Sequence, residues 1–463
     1  MLFTLSELAA ATGGDIRNSD AEGISEIVID SRNVPEGALF VAIKGDRHDG
    51  HDFAADAVDT GASLAMVSTG KAEEFGNLPM LVVEDPLEGL RQIAHAARMR
   101  SHARIIAVTG SVGKTSTKEA LLTMLSGFGK VHASIKSYNN HWGVPLMLAN
   151  LPADAQFGVF EMGMSHEGEI TPLTALVQPH VAMITSIAPA HLGELGSMEA
   201  IARAKSEIFL GLQPHGAAII NADHAFERQL VASAHEAGAR MVLTYGFEQG
   251  NVRISDYKST ETGARARFEL DGEPFDISIA ATGRHMMANA VGAALVTLPL
   301  ELPLPAAVAH LTKFAAPDGR GIAVEFAQDG RVLTMLDESY NANPTSMRAA
   351  LGVFAERPSA GRRVLVLGDM LELGSQSSAL HRGLLDLIIE GQPDYLLLVG
   401  SEMAGLQPLL DKKGIRADTA LDVNVAGDKL KGQLDYGDLV MLKGSNGVGL
   451  SKLVTQIRRQ FDQ

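Results

Sequence analysis

The residues Arg104-Ile-Ile-Ala-Val-Thr-Gly-Ser-Val-Gly-Lys-Thr-Ser-Thr-Lys-Glu119 join an apolar run, a glycine-containing turn and a helical pattern. Residues 105–108 predict a short buried strand, and residues 115–126 carry an apolar face typical of a helix. Gly110 and Gly113 lie between them. Glycines let backbone N–H groups approach a phosphate closely, and the helix N-terminus adds partial positive charge. The pattern therefore predicts a strand, a phosphate-binding loop and a helix.

The loop departs from the common G-x-x-x-x-G-K-[ST] pattern, because Val108 stands where the first glycine is expected. Lys114 would reach the β- and γ-phosphates of a nucleotide triphosphate, and the Thr115 hydroxyl would ligate Mg²⁺. The alternative is an ordinary glycine turn with a surface lysine, but Gly-Lys-Thr at a strand-to-helix junction favours ATP. The predicted nucleotide-binding residues of the loop are Thr109, Gly110, Ser111, Val112, Gly113, Lys114, Thr115 and Ser116.

Composition limits the class of protein. With 463 residues, the chain has room for about three domains. Hydrophobic residues make up 46% and charged residues 20%, as in globular proteins. The chain has no cysteine, so disulfides and thiol catalysis are excluded. The formal net charge of −16 argues against a nucleic-acid partner. We see no signal peptide or membrane-inserted segment, and we expect a cytoplasmic monomer.

Strand-like and helical segments alternate along the chain, which predicts an α/β fold with mostly parallel sheets. We expect a small N-terminal α/β domain at 1–84 and a central P-loop ATPase domain at 85–315. A polar transition near 314–321 precedes a C-terminal Rossmann-like domain at 316–463.

Three more candidates follow from position. Glu161 and His191 come after predicted strands, and such strand ends meet at one edge of a parallel sheet. Glu161 suits Mg²⁺, although a solvent-facing carboxylate is the alternative. Lys205 lies on an apolar helical stripe, where its amine must reach solvent along an extended side chain (snorkelling), pair with an anion or lose its charge. The residues alone favour snorkelling. The residues alone also favour turn and cap roles for Ser31, Arg32 and His51.

Across essentially the whole chain, the motifs resemble those of the Mur ligases, the ATP-dependent ligases that build the peptidoglycan stem peptide. The similar segments, in chain order, are residues 30–32, 49–51, 109–116, 139–145, 161–163, 190–192, 204–209, 283–285, 289, 318–320, 337–344, 368–374 and 442–445. The string Gly-Asp-Met-Leu-Glu-Leu-Gly at 368–374 is the most subgroup-specific. Two positions depart from the family pattern, because Met286 and Asn446 stand where the family usually has asparagine and arginine.

The resemblance implies a ligase that joins D-alanyl-D-alanine to UDP-N-acetylmuramoyl-tripeptide through an acyl phosphate, with ATP and Mg²⁺. It implicates Lys114, Glu161, His191 and Lys205 in catalysis, and it assigns Thr115, Glu161, His191 and a carbamylated Lys205 to metal ions. It assigns Asn289, Arg320 and Asp337 to the nucleotide. The residues that it assigns to the UDP-substrate are Ser31, Arg32, Asn139 and Asn140. The ATP-contacting residues come from two predicted domains, so these domains must meet across the nucleotide.

Rival interpretations stay open at this point. Another Mur ligase that adds a different amino acid is the closest, and a ligase similar to folylpolyglutamate synthase is the next. A P-loop switch or binding protein without ligase chemistry is the alternative from another class. The third residue of the tripeptide, diaminopimelate or lysine, is likewise open.

Overall fold

The computed structural model describes residues 1–45, 48–135, 137–190, 192–260 and 262–462. One predicted site residue, His191, lies outside the described residues. Within them, no helix combines the length and the apolar character needed to cross a membrane.

The N-terminal part forms a small α/β unit. Its strands are β1 (Phe3–Thr4), β2 (Asp15–Arg17), β3 (Gly23–Ile24), β4 (Ile27–Val28), β5 (Leu39–Val41), β6 (Leu64–Ser68) and β7 (Met80–Val83), and its helices are α1 (Leu5–Thr12) and α2 (Ala54–Thr60). The main sheet has the order β2-β7-β6-β5-β4, in which only the β2–β7 pair is antiparallel. Thr4 and Glu7 form a capping box at the start of α1, which satisfies backbone N–H groups that the first turn leaves open.

The central part is built on a larger sheet. Its elements are α3 (Pro86–Arg100), β8 (Arg104–Thr109), α4 (Lys114–Leu125), β9 (Val131–Ala133), α5 (Gly143–Ala149), β10 (Phe157–Glu161), α6 (Ile170–Val177), β11 (Val181–Ile184), α7 (Leu192–Leu195), α8 (Met198–Ser206), β12 (Ala217–Asn221), α9 (Glu227–Glu236), β13 (Met241–Gly246), β14 (Val252–Thr260), β15 (Gly263–Leu270), β16 (Glu273–Ile279), α10 (Arg284–Leu295) and α11 (Leu304–Leu311). The strand order is β16-β15-β14-β13-β12-β11-β8-β10-β9. Strands β9 to β14 and β8 run parallel, and β14, β15 and β16 pair antiparallel.

The C-terminal part has its own sheet. Its elements are β17 (Ile322–Gln328), β18 (Arg331–Glu338), α12 (Pro344–Glu356), β19 (Arg363–Gly368), α13 (Ser377–Arg382), α14 (Leu385–Glu390), β20 (Tyr395–Val399), α15 (Ser401–Ala404), α16 (Gln407–Asp411), β21 (Asp418–Ala420), α17 (Val423–Leu430), β22 (Leu439–Lys443) and α18 (Ser451–Phe461). The order is β17-β18-β22-β19-β20-β21, and all pairs except β17–β18 are parallel.

The predicted α/β class with mostly parallel sheets is confirmed. The predicted strand at 105–108 is β8, and the predicted helix at 115–126 is α4, which begins at Lys114. Strand β8 lies between β10 and β11 in the interior of the central sheet, so the loop that follows it opens at the sheet's carboxyl edge. The boundaries at 84/85 and 315/316 fall between the sheets and stay predictions.

The N-terminal and central units share one hydrophobic core, in which Leu8, Leu39 and Leu90 belong to the same cluster as Ile105 and Phe160. The joint is also hydrogen-bonded. The Asn150 side chain, directly after α5, accepts the Ile27 N–H at 2.9 Å and donates to the Ile27 carbonyl oxygen at 2.9 Å. This bidentate contact extends the edge of β4 onto the central unit, so these two units are held as one body.

We expect Asn150→Ala to destabilise the protein by about 1–3 kcal/mol, because it leaves the peptide groups of buried Ile27 without their partners. Urea unfolding followed by circular dichroism measures the shift. Gln407→Ala is the control, since it removes one side-chain bond to Ala417 inside the C-terminal unit. An unchanged midpoint for Asn150→Ala would show that water replaces the contact at no cost.

Candidate active site

A cavity of about 560 Å³ lies between the central and C-terminal units. The predicted site residues that line it are Ser111, Val112, Gly113, Lys114, Thr115, Ser116, Asn139, Asn140, Glu161, Asn289 and Arg320. They come from the loop after β8, the segment before α5, the end of β10, helix α10 and the turn before β17. The structure thus brings together in one cavity residues that are far apart in the sequence and belong to both units.

The two loop glycines are required by their surroundings. Gly110 has φ +154°, and a Cβ atom there would lie 2.0 Å from the Thr185 hydroxyl oxygen. Gly113 has φ +86°, and its Cβ would lie 2.9 Å from Asn289 Oδ1. Both positions combine a backbone conformation that side chains disfavour with a close neighbour. The glycines therefore let the loop pack tightly beneath the cavity.

Side chains at the end of β11 brace this loop. Ser111 Oγ donates to the Ala188 carbonyl oxygen and accepts the Ala188 N–H, both at 2.9 Å. The Val112 N–H donates to Ser186 Oγ at 3.0 Å, while Thr185 Oγ1 donates to the Val112 carbonyl oxygen at 2.5 Å. Because these bonds hold the loop, the first N–H groups of α4 face the cavity at a helix N-terminus, where an anion is stabilised.

Lys114 is positioned by the loop itself. Its Nζ donates to the Gly110 carbonyl oxygen at 2.8 Å. Burial lowers the pKa of Lys114, whereas the nearby charge of Glu161 raises it and that of Arg320 lowers it. Two cations and one carboxylate thus act on the same small volume, which suits a ligand that carries several negative charges.

Thr115 and Glu161 touch directly. Thr115 Oγ1 donates to Glu161 Oε2 at 2.8 Å, and Asn139 Nδ2 donates to Glu161 Oε1 at 2.8 Å. Glu161 is almost fully buried at the end of β10. Mg²⁺ prefers one or two carboxylates together with phosphate oxygens and waters, so this hydroxyl–carboxylate pair fits that ion. In the described part of the chain, no cluster of three or more His, Cys, Asp or Glu residues forms a metal cage.

Lys205, on α8, is only 1% exposed. The snorkelling interpretation is therefore wrong, because the side chain is buried rather than extended into open solvent. Burial lowers the pKa of Lys205 well below its usual value, and the charge of Lys114 lowers it further. Among the described residues, Lys205 makes no side-chain hydrogen bond or ion pair, and its predicted neighbour His191 is not described.

The remaining nucleotide candidates differ in position. Asn289 is buried against Gly113, and the Arg320 guanidinium lies 4.1 Å from the centre of the Tyr340 ring. Asp337 is buried at the end of β18, where its Oδ1 accepts the Ser339 hydroxyl at 2.7 Å and the Ser339 N–H at 3.1 Å. It does not line the cavity, and its contact with the nucleotide stays a prediction.

The N-terminal candidates lie outside the cavity wall. Arg32 is exposed and pairs with Asp30 at 2.6 Å, and this contact raises the pKa of Arg32, with a smaller contribution from Tyr138 of the central unit. Ser31 lies in the same turn. Ser31 and Arg32 thus belong to the N-terminal unit and Asn139 and Asn140 to the central unit, and their contact with one elongated substrate stays a prediction. Asn140 also closes its own turn by accepting the Gly143 N–H at 2.9 Å.

His51 has a structural role. Its Nε2 accepts the Ser68 N–H at 3.0 Å, so its Nδ1 carries the proton and donates to Asp49 Oδ1 at 2.6 Å. Asp49 also accepts the His51 backbone N–H, as a cap does. The cap interpretation that the residues alone favour agrees with these contacts.

The two departures from the family pattern lie in different environments. Met286 is buried and lines the cavity, so a thioether replaces an amide in its wall. Asn446 is exposed in the turn Asn446–Val448 and does not line the cavity.

The sequence pattern did not single out Thr185 and Ser186, which brace the loop, or the ion pair between Lys443 and Glu338 in the cavity wall. Lys443 Nζ lies 3.1 Å from Glu338 Oε2, and Lys443 is 2% exposed. Thr185 and Ser186 follow β11 directly, so their place at the carboxyl edge of the sheet is the signal that could have identified them.

The central and C-terminal units also meet at a second place, where the Gly193 N–H donates to the Glu372 carbonyl oxygen at 3.4 Å. A Cβ on Gly193 would lie 3.1 Å from the Gly374 nitrogen. We expect Gly193→Ala to disfavour this contact and to enlarge the radius of gyration measured by solution scattering with an ATP analogue bound.

Gly352→Ala is the matched control for that prediction. Gly352 is also helical, and a Cβ there would meet nothing within 4 Å. Equal radii for wild type and Gly193→Ala would show that the contact adjusts by a few tenths of an ångström without opening the units.

Comparison with known proteins agrees with this architecture. Three family models match, described as Mur ligase family, catalytic domain (residues 23–110), Mur ligase middle domain (108–297) and Mur ligase, glutamate ligase domain (324–446). A curated UDP-N-acetylmuramoyl-tripeptide–D-alanyl-D-alanine ligase from Rickettsia prowazekii is 33% identical over 98% of this chain and 99% of its own length. The ligase of that name from Escherichia coli is 35% identical over 86% of both chains. A crystal structure of MurF from Acinetobacter baumannii has a TM-score of 0.83 and 30% identity, covering 99% of both chains.

Proposed function

The chain belongs to the Mur ligase family, and we propose that it joins D-alanyl-D-alanine to UDP-N-acetylmuramoyl-tripeptide with conversion of ATP to ADP and phosphate. The observation that carries this function is the match, over nearly the whole chain, to curated UDP-N-acetylmuramoyl-tripeptide–D-alanyl-D-alanine ligases and to a MurF structure. The loop at residues 109–116, of which residues 111–116 line the cavity, is of the kind that binds ATP. The product would be a peptidoglycan precursor, made in the cytoplasm by a monomer.

The chemistry explains why ATP is needed. A carboxylate is a poor electrophile, so the terminal carboxylate of the tripeptide first takes the γ-phosphoryl group of ATP and becomes an acyl phosphate. The amine of D-alanyl-D-alanine then attacks the acyl carbon, the amide bond forms and phosphate leaves. Lys114 and the N–H groups at the start of α4 stabilise negative charge during the phosphoryl transfer. Arg320 approaches the same volume from the C-terminal unit.

Thr115 and Glu161 would hold Mg²⁺, since their side chains already meet at 2.8 Å at the edge of the cavity. When bound, the ion neutralises phosphate charge. Asn139 keeps the Glu161 carboxylate oriented. We assign His191 and a carbamylated Lys205 to a second ion. The assignment rests on the family resemblance and on the burial of the Lys205 amine, which has no described partner.

The UDP-substrate would extend from the N-terminal unit into the cavity. We assign Ser31 and Arg32 to the UDP-sugar, and Asn139 and Asn140 to the part of the substrate that enters the cavity. Asn289, Arg320 and Asp337 are assigned to the nucleotide, with Asp337 at the ribose.

Two rival ligases remain as candidates. A Mur ligase that adds a single amino acid shares the loop and the acyl-phosphate chemistry, and the Gly-Asp-Met-Leu-Glu-Leu-Gly string at 368–374 argues against it. A ligase similar to folylpolyglutamate synthase is disfavoured because residues 23–110 match an N-terminal Mur ligase unit. A P-loop switch is disfavoured by the match to ligases over the whole chain.

Phosphate release tests the proposal. Purified protein with ATP and Mg²⁺ is given UDP-N-acetylmuramoyl-tripeptide, containing diaminopimelate or lysine, together with D-alanyl-D-alanine, single amino acids, or folate plus glutamate as controls. We expect release only when a UDP-tripeptide and D-alanyl-D-alanine are both present. Release with folate and glutamate, or with one amino acid in place of the dipeptide, would assign a different substrate.

A further inference from the structure

Tyr340 links the C-terminal unit to the central unit inside the cavity wall. It lies two residues after β18, and its hydroxyl donates to Ser137 Oγ at 2.5 Å. Both residues line the cavity, and they are 203 positions apart in the sequence. Tyr340 belongs to a segment that resembles the family, yet none of the roles assigned above uses it.

The ring of Tyr340 also supports Arg320. The guanidinium lies 4.1 Å from the ring centre, close enough for a cation–π contact. The Tyr340 N–H donates to the Gly319 carbonyl oxygen at 3.1 Å. Gly319 has φ +71°, and a Cβ added to it would lie 2.9 Å from the Tyr340 Cβ, which is too close for a side chain. The turn that carries Arg320 is thus folded onto Tyr340 through both its backbone and its side chain.

On the other side of the bond, Ser137 belongs to the segment that holds the predicted metal carboxylate. Asn139, two residues further on, donates to Glu161 at 2.8 Å, and its carbonyl oxygen accepts the Gly163 N–H at 2.7 Å. At the start of the segment, Lys118 Nζ donates to the Ser134 carbonyl oxygen at 2.7 Å. Glu161 therefore contacts Asn139, and Ser137, two positions earlier in the same segment, contacts Tyr340, whose ring contacts Arg320.

We propose that Tyr340 is a positioning residue, which places Arg320 over bound ATP by anchoring its turn to Ser137 of the central unit. The phenol ring orients the guanidinium, and the hydroxyl fixes the ring to the segment that also carries Asn139. Arg320 then takes its place only when that segment is in its observed position. This inference rests on the proposed function for the identity of the nucleotide, and it adds a residue that acts through Arg320.

Other roles for Tyr340 make different predictions. If the ring only fills space, removal of the hydroxyl changes nothing. If the hydroxyl contacts the substrate directly, loss of Ser137 cannot reproduce the effect. The proposed role requires that Tyr340→Phe and Ser137→Ala have the same consequence, because each removes one end of the same hydrogen bond.

The experiment consists of two double-mutant cycles, one for Tyr340 with Ser137 and one for Tyr340 with Arg320. In each cycle the KM for ATP, kcat and the Kd of a non-hydrolysable ATP analogue are measured. We expect Tyr340→Phe and Ser137→Ala each to raise KM and Kd by about three- to tenfold, the range of one hydrogen bond, with kcat changed less than KM. The variant that combines Tyr340→Phe and Ser137→Ala should have the same KM and Kd as either single variant. In an Arg320→Ala background, Tyr340→Phe should add almost nothing.

Tyr395→Phe is the matched control, since it removes a hydroxyl that bonds Asp418 in the same unit but away from the cavity. It should leave KM unchanged. Effects of Tyr340→Phe and Ser137→Ala that multiply, or a Tyr340→Phe effect that persists without Arg320, would overturn the proposal. If the wild-type protein does not turn over the UDP-tripeptide with D-alanyl-D-alanine, the proposed function is wrong. The two cycles measured with the ATP analogue still decide the role of Tyr340 in that case.

Discussion

Lys114→Ala is expected to lower kcat by on the order of a hundredfold or more, because it removes the positive charge that we assign to the phosphoryl group during its transfer. The side chain reaches the cavity from the first position of α4, and the Gly110 carbonyl oxygen orients it at 2.8 Å. The remaining loop N–H groups still bind phosphate, so the KM for ATP should change less than kcat. Steady-state phosphate release measures both.

Two controls separate this effect from damage to the fold. Lys130→Ala removes an exposed lysine that pairs with Asp154 away from the cavity, and it should leave kcat unchanged. The thermal midpoint of Lys114→Ala should stay close to that of wild type, since the side chain lines a cavity and makes a single described hydrogen bond. Turnover near the wild-type rate would remove Lys114 from the catalytic machinery.

The strand, loop and helix around Lys114 could be predicted from the sequence because their signals are local. An apolar run, glycines and an apolar helical face lie within one stretch, and the structure places β8 and α4 within one residue of the predicted limits at the start of each. Strands β14 to β16 were not predicted. Alternate residues of β15, such as Ala264, Ala266 and Phe268, are buried, so an alternating pattern was present but depended mainly on small alanines.

The site shows where local signals end. The Thr115–Glu161 contact joins the start of α4, which follows β8, to the end of the neighbouring strand β10. The alternation of elements already implies that these two places lie at the same edge of the sheet. The Tyr340–Ser137 bond does not, because it depends on how one unit rests on another. The enclosure of Lys205 is another such case, since an apolar stripe does not say whether the lysine tip reaches water. Contacts between units are set by tertiary packing rather than by periodicity.

Lys205→Ala is the second substitution with a large expected effect. We expect it to lower the rate of phosphate release by on the order of a hundredfold or more, because it would remove a group that organises phosphoryl transfer. A buried ammonium without a described partner is costly. Carbamylation by CO₂ turns this amine into an anion that can ligate Mg²⁺, and the burial that lowers the pKa of Lys205 favours the neutral amine that the reaction needs. Phosphate release measures the loss, and ¹³C NMR of protein equilibrated with ¹³C-bicarbonate should show a carbamate signal that the variant lacks.

Lys205→Met separates the chemistry from the packing. Methionine fills nearly the same space without an amine, so both variants should be inactive if the carbamate is required, whereas the alanine variant alone leaves room for an added ligand. A short carboxylic acid in the buffer should therefore restore part of the activity of Lys205→Ala and none of that of Lys205→Met. Wild-type turnover by Lys205→Met, or a plain ammonium at Lys205 in a nucleotide-bound crystal equilibrated with CO₂, would refute carbamylation and leave Glu161 and Thr115 as the proposed Mg²⁺ ligands.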